Sequence, residues 1–158
     1  MIRKAKTTDA SSIVYINITS WKETYKSIFP TSFLDKLDPY DNVNIERCIN
    51  NIGEYIVYTE DDKVLGFARY GKNKKDYDDN YGEIYALYVD NNHHGKKIGS
   101  KLVNHILKIM PYEYLLISTL KDNKANEFYK KIGGKLIGEC KFILEDKEYT
   151  ENIYLYKK

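Results

Sequence analysis

The stretch from Glu83 to Lys101 reads E-I-Y-A-L-Y-V-D-N-N-H-H-G-K-K-I-G-S-K. A β-type apolar run ends at Asp90, a short polar turn carries Gly95 and Gly99, and a helix pattern starts almost at once. Strand, glycine-bearing turn and helix N-terminus together make a site for phosphate groups. The first turn of a helix leaves backbone N–H groups unpaired, and the macrodipole adds roughly half a positive charge there. Glycine lets the backbone approach an anion with no Cβ in the way. Lys96 and Lys97 oppose the dipole, so an anion at this point relieves their repulsion. The spacing is neither that of a P-loop nor that of the three-glycine dinucleotide fingerprint. Two glycines alone fit an ordinary strand–turn–helix with a solvated basic start equally well.

The rest of the chain gives this turn a context. Ile2 to Lys6 alternates as a short strand, and Thr8 caps a helix that holds Ile13, Ile16 and Trp21 and extends toward Ser27. Pro30-Thr31-Ser32 restarts a short helix through Phe33, Leu34 and Leu37, and Asn42 to Asn50 reads as a third. Tyr55 to Thr59 and Lys63 to Tyr70 form a hairpin around Glu60-Asp61-Asp62. Lys72 to Asn80 is a charged loop with little to bury. Gly82 to Val89 is apolar at nearly every position after Glu83, which predicts a strand covered on both faces. Ile98, Leu102, Ile106 and Ile109 form one helical stripe, ended by Pro111. Tyr114 to Thr119 is a strand, Asn123 to Ile132 a helix stopped by Gly133-Gly134, and Lys135 to Leu144 with Tyr149 to Tyr156 a closing hairpin. This order predicts an α/β fold built on a mixed sheet with helices on both faces.

Composition excludes several function classes. A chain of 158 residues suits one domain, 1–158, with one substantial core. A net charge of +2 is too small for a nucleic-acid footprint. No apolar run is long enough to span a bilayer, and the N-terminal residues lack the apolar region of a signal peptide. Cys48 and Cys140 are the only cysteines, with no zinc-like spacing and no disulfide framework. A cytoplasmic protein is expected, with neither nucleic acid nor membrane as partner. His93 and His94 have no third ligand nearby, so no metal is expected.

Asp90 to Gly99 resembles the acetyl-CoA motif Q/R-x-x-G-x-G/A of the GNAT family of N-acetyltransferases, which follows a strand ending L-Y-V. Asp122 to Gly134, read D-N-K-A-N-E-F-Y-K-K-I-G-G, resembles the same family's N-x-x-A-x-x-F-Y-x-x-x-G segment. The two lie about 30 residues apart, as in the family, and the element order of the whole chain fits as well. Two positions depart from the pattern. His94 stands where Gln or Arg is usual, and Lys97 where the middle glycine is usual. The asparagine of the second motif sits one place closer to the tyrosine than in many members, and Asn123 takes its role.

The resemblance implies a central, mostly antiparallel mixed sheet of about seven strands. It also implies transfer of an acetyl group from acetyl-CoA to a primary amine by direct attack. The cofactor track it implies runs over Leu87, Tyr88 and Val89, then His94, Gly95, Lys96, Lys97, Ile98, Gly99 and Ser100, and on to Asn123 and Tyr129. Leu87 and Val89 act there through their backbones, holding the pantetheine arm like an added strand. The Val89 N–H is placed to polarise the thioester carbonyl.

An alkylammonium has a reference pKa of about 10.4, so reaching the neutral nucleophile at pH 7 costs roughly 4 to 5 kcal/mol. A base or a desolvating pocket must help. Glu83 is the candidate base, directly or through a water; otherwise it is a solvated residue at a strand end. Tyr129 is the candidate acid for the leaving thiolate, since a thiol near 8.5 and a tyrosine near 10 differ by a small gap in reference pKa. Otherwise it is a core aromatic packed with Ala125 and Ile132. Direct transfer needs no cysteine nucleophile, so Cys140 has no expected role.

The acceptor side is less determined. Trp21, Tyr25 and Phe29, with Tyr85, are candidates for an aromatic pocket, and Asp76, Asp78 and Asp79 for its acidic rim. Such a pocket suits a cationic small amine. The helical spacing of Trp21, Tyr25 and Phe29 also fits plain core packing. A small-molecule amine is the expected acceptor. A protein amino group, or a regulatory module that binds acyl-CoA without turnover, stands as the alternative. A monomer or a homodimer through the C-terminal hairpin fits equally.

Overall fold

The computed structural model describes residues 1–158. Seven strands form a mixed sheet in the order β1-β2-β3-β4-β5-β7-β6. They are β1 (Ile2–Lys4), β2 (Tyr55–Glu60), β3 (Lys63–Lys72), β4 (Tyr81–Val89), β5 (Tyr114–Leu120), β6 (Lys135–Leu144) and β7 (Lys147–Lys157). The helices are α1 (Ala10–Thr24), α2 (Thr31–Leu34), α3 (Asn42–Asn50), α4 (Ile98–Ile109) and α5 (Ala125–Lys131). The chain forms two compact units, one of residues 1–70 and 86–106, the other of residues 71–85 and 107–158. No helix is long and apolar enough to cross a membrane.

In the first unit β1 and β2 pair antiparallel, as do β2 and β3. Their core gathers Ala10, Ile13, Val14, Ile16 and Ile18 of α1 with Cys48, Val57 and Phe67. The start of α1 differs from the Thr8 cap read in the sequence. Residues Thr7–Asp9 form a 3-10 turn, and the Asp9 carboxylate accepts the Lys6 N–H at 2.7 Å. Asp9 also takes a two-pronged ion pair from Arg3, at 2.7 and 3.0 Å. A short polar side chain followed by a bonded guanidinium fixes the helix entry better than a lone hydroxyl can. The Arg3 hydrogen bond holds the Asp9 carboxyl below its ordinary range, against the opposing effect of burial. A carboxyl depressed on folding stabilises the fold fully above its unfolded pKa of about 3.9 and loses that contribution as pH falls through its folded value. Stability should therefore decline below about pH 4, and Arg3→Ala should flatten that acid limb in urea titrations run across pH. An unchanged limb would exclude this ion pair as its source.

In the second unit β5 pairs antiparallel with β7 along its whole length, and β6 with β7, with a register shift between Leu136 and Gly138. β4 pairs parallel with β5 only from Tyr81 to Ile84, against Tyr114 to Ile117. The strand expected to be covered on both faces is buried only at Gly82, Glu83 and Ile84, while Tyr85 to Val89 are half-buried. The apolar run does not report coverage here, because the parallel ladder ends before the strand does. On α4, Ile98, Leu102, Val103 and Ile106 are buried, but Ile109 is 45% exposed and Met110 takes the buried place. The helix ends at Ile109, so the 3.6-residue stripe does not carry through its last residue.

Candidate active site

The first unit holds the turn. At the end of β4, Asp90 caps a 3-10 turn over Asn91–His93 by accepting the Asn92 N–H at 2.9 Å. The Val89 carbonyl meets the Ser20 hydroxyl at 3.4 Å and His94 Nε2 at 3.1 Å. His94, in the place of the usual Gln or Arg, thus ties the turn back to the end of the strand when Nε2 carries the proton. Gly95 lies at φ +89° and Lys97 at φ +59°. Both are left-handed, and a side chain added at Gly95 would meet nothing within 4 Å. The glycine usual at position 97 suits this backbone; lysine adopts it at a cost of roughly 1–2 kcal/mol.

Ile98 is buried and anchors the first turn of α4, while Gly99 and Ser100 are half-exposed. The Ser100 hydroxyl donates to Lys97 O at 3.0 Å. Lys96 pairs with Glu60 at 3.5 Å, and the Lys97 side chain is exposed. The first-turn amides of a twelve-residue helix therefore stand beside an exposed ammonium, a fit for a pyrophosphate. Lys97→Gly should raise stability by roughly 0.5–1 kcal/mol, the relief of the left-handed penalty less the entropy glycine adds to the unfolded chain. A lower urea midpoint for that variant would refute the account of the turn.

The aromatic candidates also lie in the first unit. Trp21 packs edge-on to Tyr25 at 4.9 Å and tilts against Phe29 at 5.6 Å; Tyr25 and Phe29 are 4.8 Å apart. Tyr25 and Phe29 are buried and Trp21 is half-buried. The Tyr25 hydroxyl lies 3.4 Å from that of Tyr88. A polar groove of about 660 Å³ in this unit is lined by Arg3, Asp9, Ser12, Asp90 and His93 and by none of these aromatics.

The second unit holds both acid–base candidates. Glu83 is buried rather than solvated, at 6% exposure. Its Oε1 accepts the Lys74 N–H at 2.8 Å, and its Oε2 takes the Lys75 ammonium at 2.5 Å. A carboxylate has about four lone-pair sites, so room for a water remains. Lys74 Nζ sits 4.0 Å from the centre of the Tyr85 ring, and the Tyr85 hydroxyl donates to Lys72 O. The loop is less bare than its composition suggests. Asn73 is buried and donates through Nδ2 to the carbonyls of Tyr77, Asp78 and Tyr81 at 3.3, 3.0 and 2.9 Å. Asp76, Asp78 and Asp79 are exposed, and Asp79 pairs with Lys72 at 2.9 Å.

Strand register places the other groups. Glu83 lies opposite Leu116, and Ser118 and Leu120 continue that face of β5. Leu120 lies opposite Glu151, which lies opposite Cys140. Glu83, Ser118, Glu151 and Cys140 therefore share one face. Burial, more than any neighbour, pushes the Glu151 carboxyl up, and Lys75 pulls it down. Burial, then Glu151, raises the Cys140 thiol, which is the wrong direction for a nucleophile.

The opposite face carries Tyr154, aligned with Ile117, and beneath it α5. Tyr129 is 7% exposed and its ring stacks on Tyr154 at 5.9 Å. Its carbonyl accepts from Gly134 N and from the Tyr156 hydroxyl, at 2.9 and 2.6 Å. Gly133, at φ +104°, stops the helix as expected. Asn123 serves the entry to α5: its Oδ1 accepts the Ala125 N–H at 2.9 Å and its Nδ2 donates to Thr119 Oγ1 at 3.0 Å. One N–H and one lone pair of that amide remain for a ligand.

Sequence reasoning missed Lys75, Glu151 and Asn126. Nothing in a run of charges marks which lysine folds inward, so Lys75 gave no signal. Asn126 did give one, because a mid-helix asparagine three residues before Tyr129 needs partners of its own.

A seven-stranded mixed sheet and a strand–turn–helix anion cradle are features of an acyl-CoA-dependent acyltransferase. The chain belongs to the acetyltransferase (GNAT) family, whose model matches residues 18–153. It is similar to the uncharacterized N-acetyltransferase YuaI of Bacillus subtilis (strain 168), 22% identical over 144 residues, which cover 89% of this chain and 83% of that protein. Among solved structures it is similar to the PaiA N-acetyltransferase of Thermoplasma acidophilum in complex with coenzyme A. The TM-score is 0.79 at 22% identity, over 100% of this chain and 98% of that one. The ribosomal-protein-alanine N-acetyltransferase of Brucella melitensis aligns with a TM-score of 0.77 at 18% identity, over 100% and 99%.

Proposed function

We propose that this chain transfers the acetyl group of acetyl-CoA to the amine of a small cationic molecule by direct attack. The observation that carries this reading is the buried Glu83 carboxylate, seated beside an ammonium and one residue before the end of ladder pairing with β5. Family membership and the coenzyme A bound to the Thermoplasma relative support acetyl-CoA as donor.

Acetyl-CoA supplies the activated thioester. The residues of this chain do the rest. The amides of Ile98 to Ser100 and the Lys97 ammonium hold the pyrophosphate, and the backbone of Leu87 to Val89 holds the pantetheine arm. Glu83 accepts the proton of the incoming ammonium, directly or through one water. Tyr129, on the other face of the sheet, donates a proton to the departing thiolate.

The cationic acceptor is inferred from what the site already takes: Glu83 and Glu151 face an ammonium, and Tyr85 a second one. The Brucella relative's name, a ribosomal-protein-alanine N-acetyltransferase, keeps a protein amino group as the second reading. Calorimetric titration with acetyl-CoA tests the donor. Saturable binding is expected, and no heat at high micromolar cofactor would sink the proposal. Competing amines, aminoglycosides and peptides at matched concentration then rank the acceptors. Equal turnover of neutral and cationic amines would remove the cationic part.

A further inference from the structure

We propose that Lys75 is itself an acetyl acceptor, modified within its own chain with Glu83 as base; this rests on the reading of Glu83 given above. The amine paired with Glu83 is Lys75 Nζ, at 2.5 Å. Its burial sets it apart. The lysine side chains of the other ion pairs are 51–68% exposed, whereas that of Lys75 is 21% exposed and its partner 8%. A surface pair of two long, mobile side chains is worth little; this one is built into the unit.

Three contacts hold it. Asn73 bonds three carbonyls of the loop, the Lys74 N–H bonds Glu83, and the Lys74 ammonium rests on Tyr85. An amine delivered by a structured loop reacts as though highly concentrated, because its positional entropy is already lost.

The step balances. The Lys75 ammonium gives one proton to Glu83. The freed lone pair forms the N–C bond to the thioester carbonyl carbon, and the C–S bond breaks. The sulfur leaves with the electron pair and takes a proton from Tyr129 or solvent, and the second N–H proton of the attacking amine passes to solvent or back to Tyr129, which leaves a neutral amide. One acetyl-CoA is consumed and one acetyllysine and one coenzyme A result. The product is a neutral amide that no longer pairs with Glu83, which leaves the carboxylate open to an external ammonium.

The test uses the full chain and acetyl-CoA labelled with deuterium in the acetyl group, read by peptide mass spectrometry. Occupancy at Lys75 is summed over labelled and unlabelled acetyl groups. About one acetyl group per chain is expected at Lys75, at a rate independent of protein concentration. Glu83→Gln protein, expressed and incubated in the same way, should acquire it about 10²-fold more slowly or worse. Acetylation of Lys75 no faster than that of exposed Lys26, or undiminished in Glu83→Gln, would overturn the proposal by showing plain chemical acetylation. Should Glu83→Gln fail to fold by circular dichroism, the wild-type comparison of Lys75 with Lys26 decides alone. Thiol release with external amines and an unmodified Lys75 would refute this inference and leave the proposed function standing. Neither release nor modification would refute both.

Discussion

Glu83→Gln should lower kcat/KM for an amine acceptor by about 10²–10⁴-fold and leave acetyl-CoA affinity nearly unchanged. The magnitude follows from the proton. An alkylammonium must lose roughly 3.4 pK units to attack at pH 7, and glutamine cannot accept that proton. The side chain keeps its size and still accepts the Lys74 N–H. Its NH₂ group faces the Lys75 ammonium, donor against donor, so the loop loosens. A pH series separates the two effects. The deficit of the variant should shrink as pH approaches 10, where the acceptor deprotonates without help. A constant deficit would mean that Glu83 only positions the loop.

The second large effect concerns stability. Asn126→Ala should cost about 3–5 kcal/mol and lower Tm by roughly 10 °C. Asn126 is 8% exposed. Its Nδ2 meets the carbonyls of Leu120, Lys121 and Asn123 at 2.9, 3.2 and 2.6 Å. Its Oδ1 accepts from Asn152 Nδ2 at 3.0 Å and from the Tyr154 hydroxyl at 2.7 Å. Alanine removes the buried acceptor of Asn152 Nδ2 and of the Tyr154 hydroxyl, while the Leu120 and Asn123 carbonyls keep the backbone N–H groups of Asn123 and Asn126; the penalty for each buried donor left unpaired is larger than the net worth of the bond lost. Tyr129 rides on the same helix and stacks on Tyr154, so activity should fall with stability. Tyr154→Phe removes one of these bonds and should cost about 1 kcal/mol. Equal losses in the two variants would contradict the role of Asn126 as the hub.

Most elements were legible because each is local. Asn42–Asn50 and Lys135–Leu144 fall where period and punctuation put them. The strand–turn–helix at Asp90 to Gly99 was legible for the same reason, and position 97 adopts the left-handed backbone that suits glycine. Long-range features were not legible. The end of the β4–β5 ladder at Ile84 depends on where β5 turns to β7 alone, which no pattern within Glu83 to Val89 records. The inward turn of Lys75 depends on Glu83 and Glu151, eight residues away in one case and on another strand in the other. Trp21, Tyr25 and Phe29 have the spacing expected of a core and of a pocket alike, and their mutual packing accounts for the spacing.

Acetyl transfer by this site can be read from steady-state release of coenzyme A thiol, with a panel of amines, for wild type, Glu83→Gln and Tyr129→Phe. Release well above background is expected with cationic small amines, with a loss of about 10² or more in each variant at neutral pH. Acetyl-CoA binding with no amine-dependent release, or release undiminished in both variants, would contradict acetyl transfer by this site.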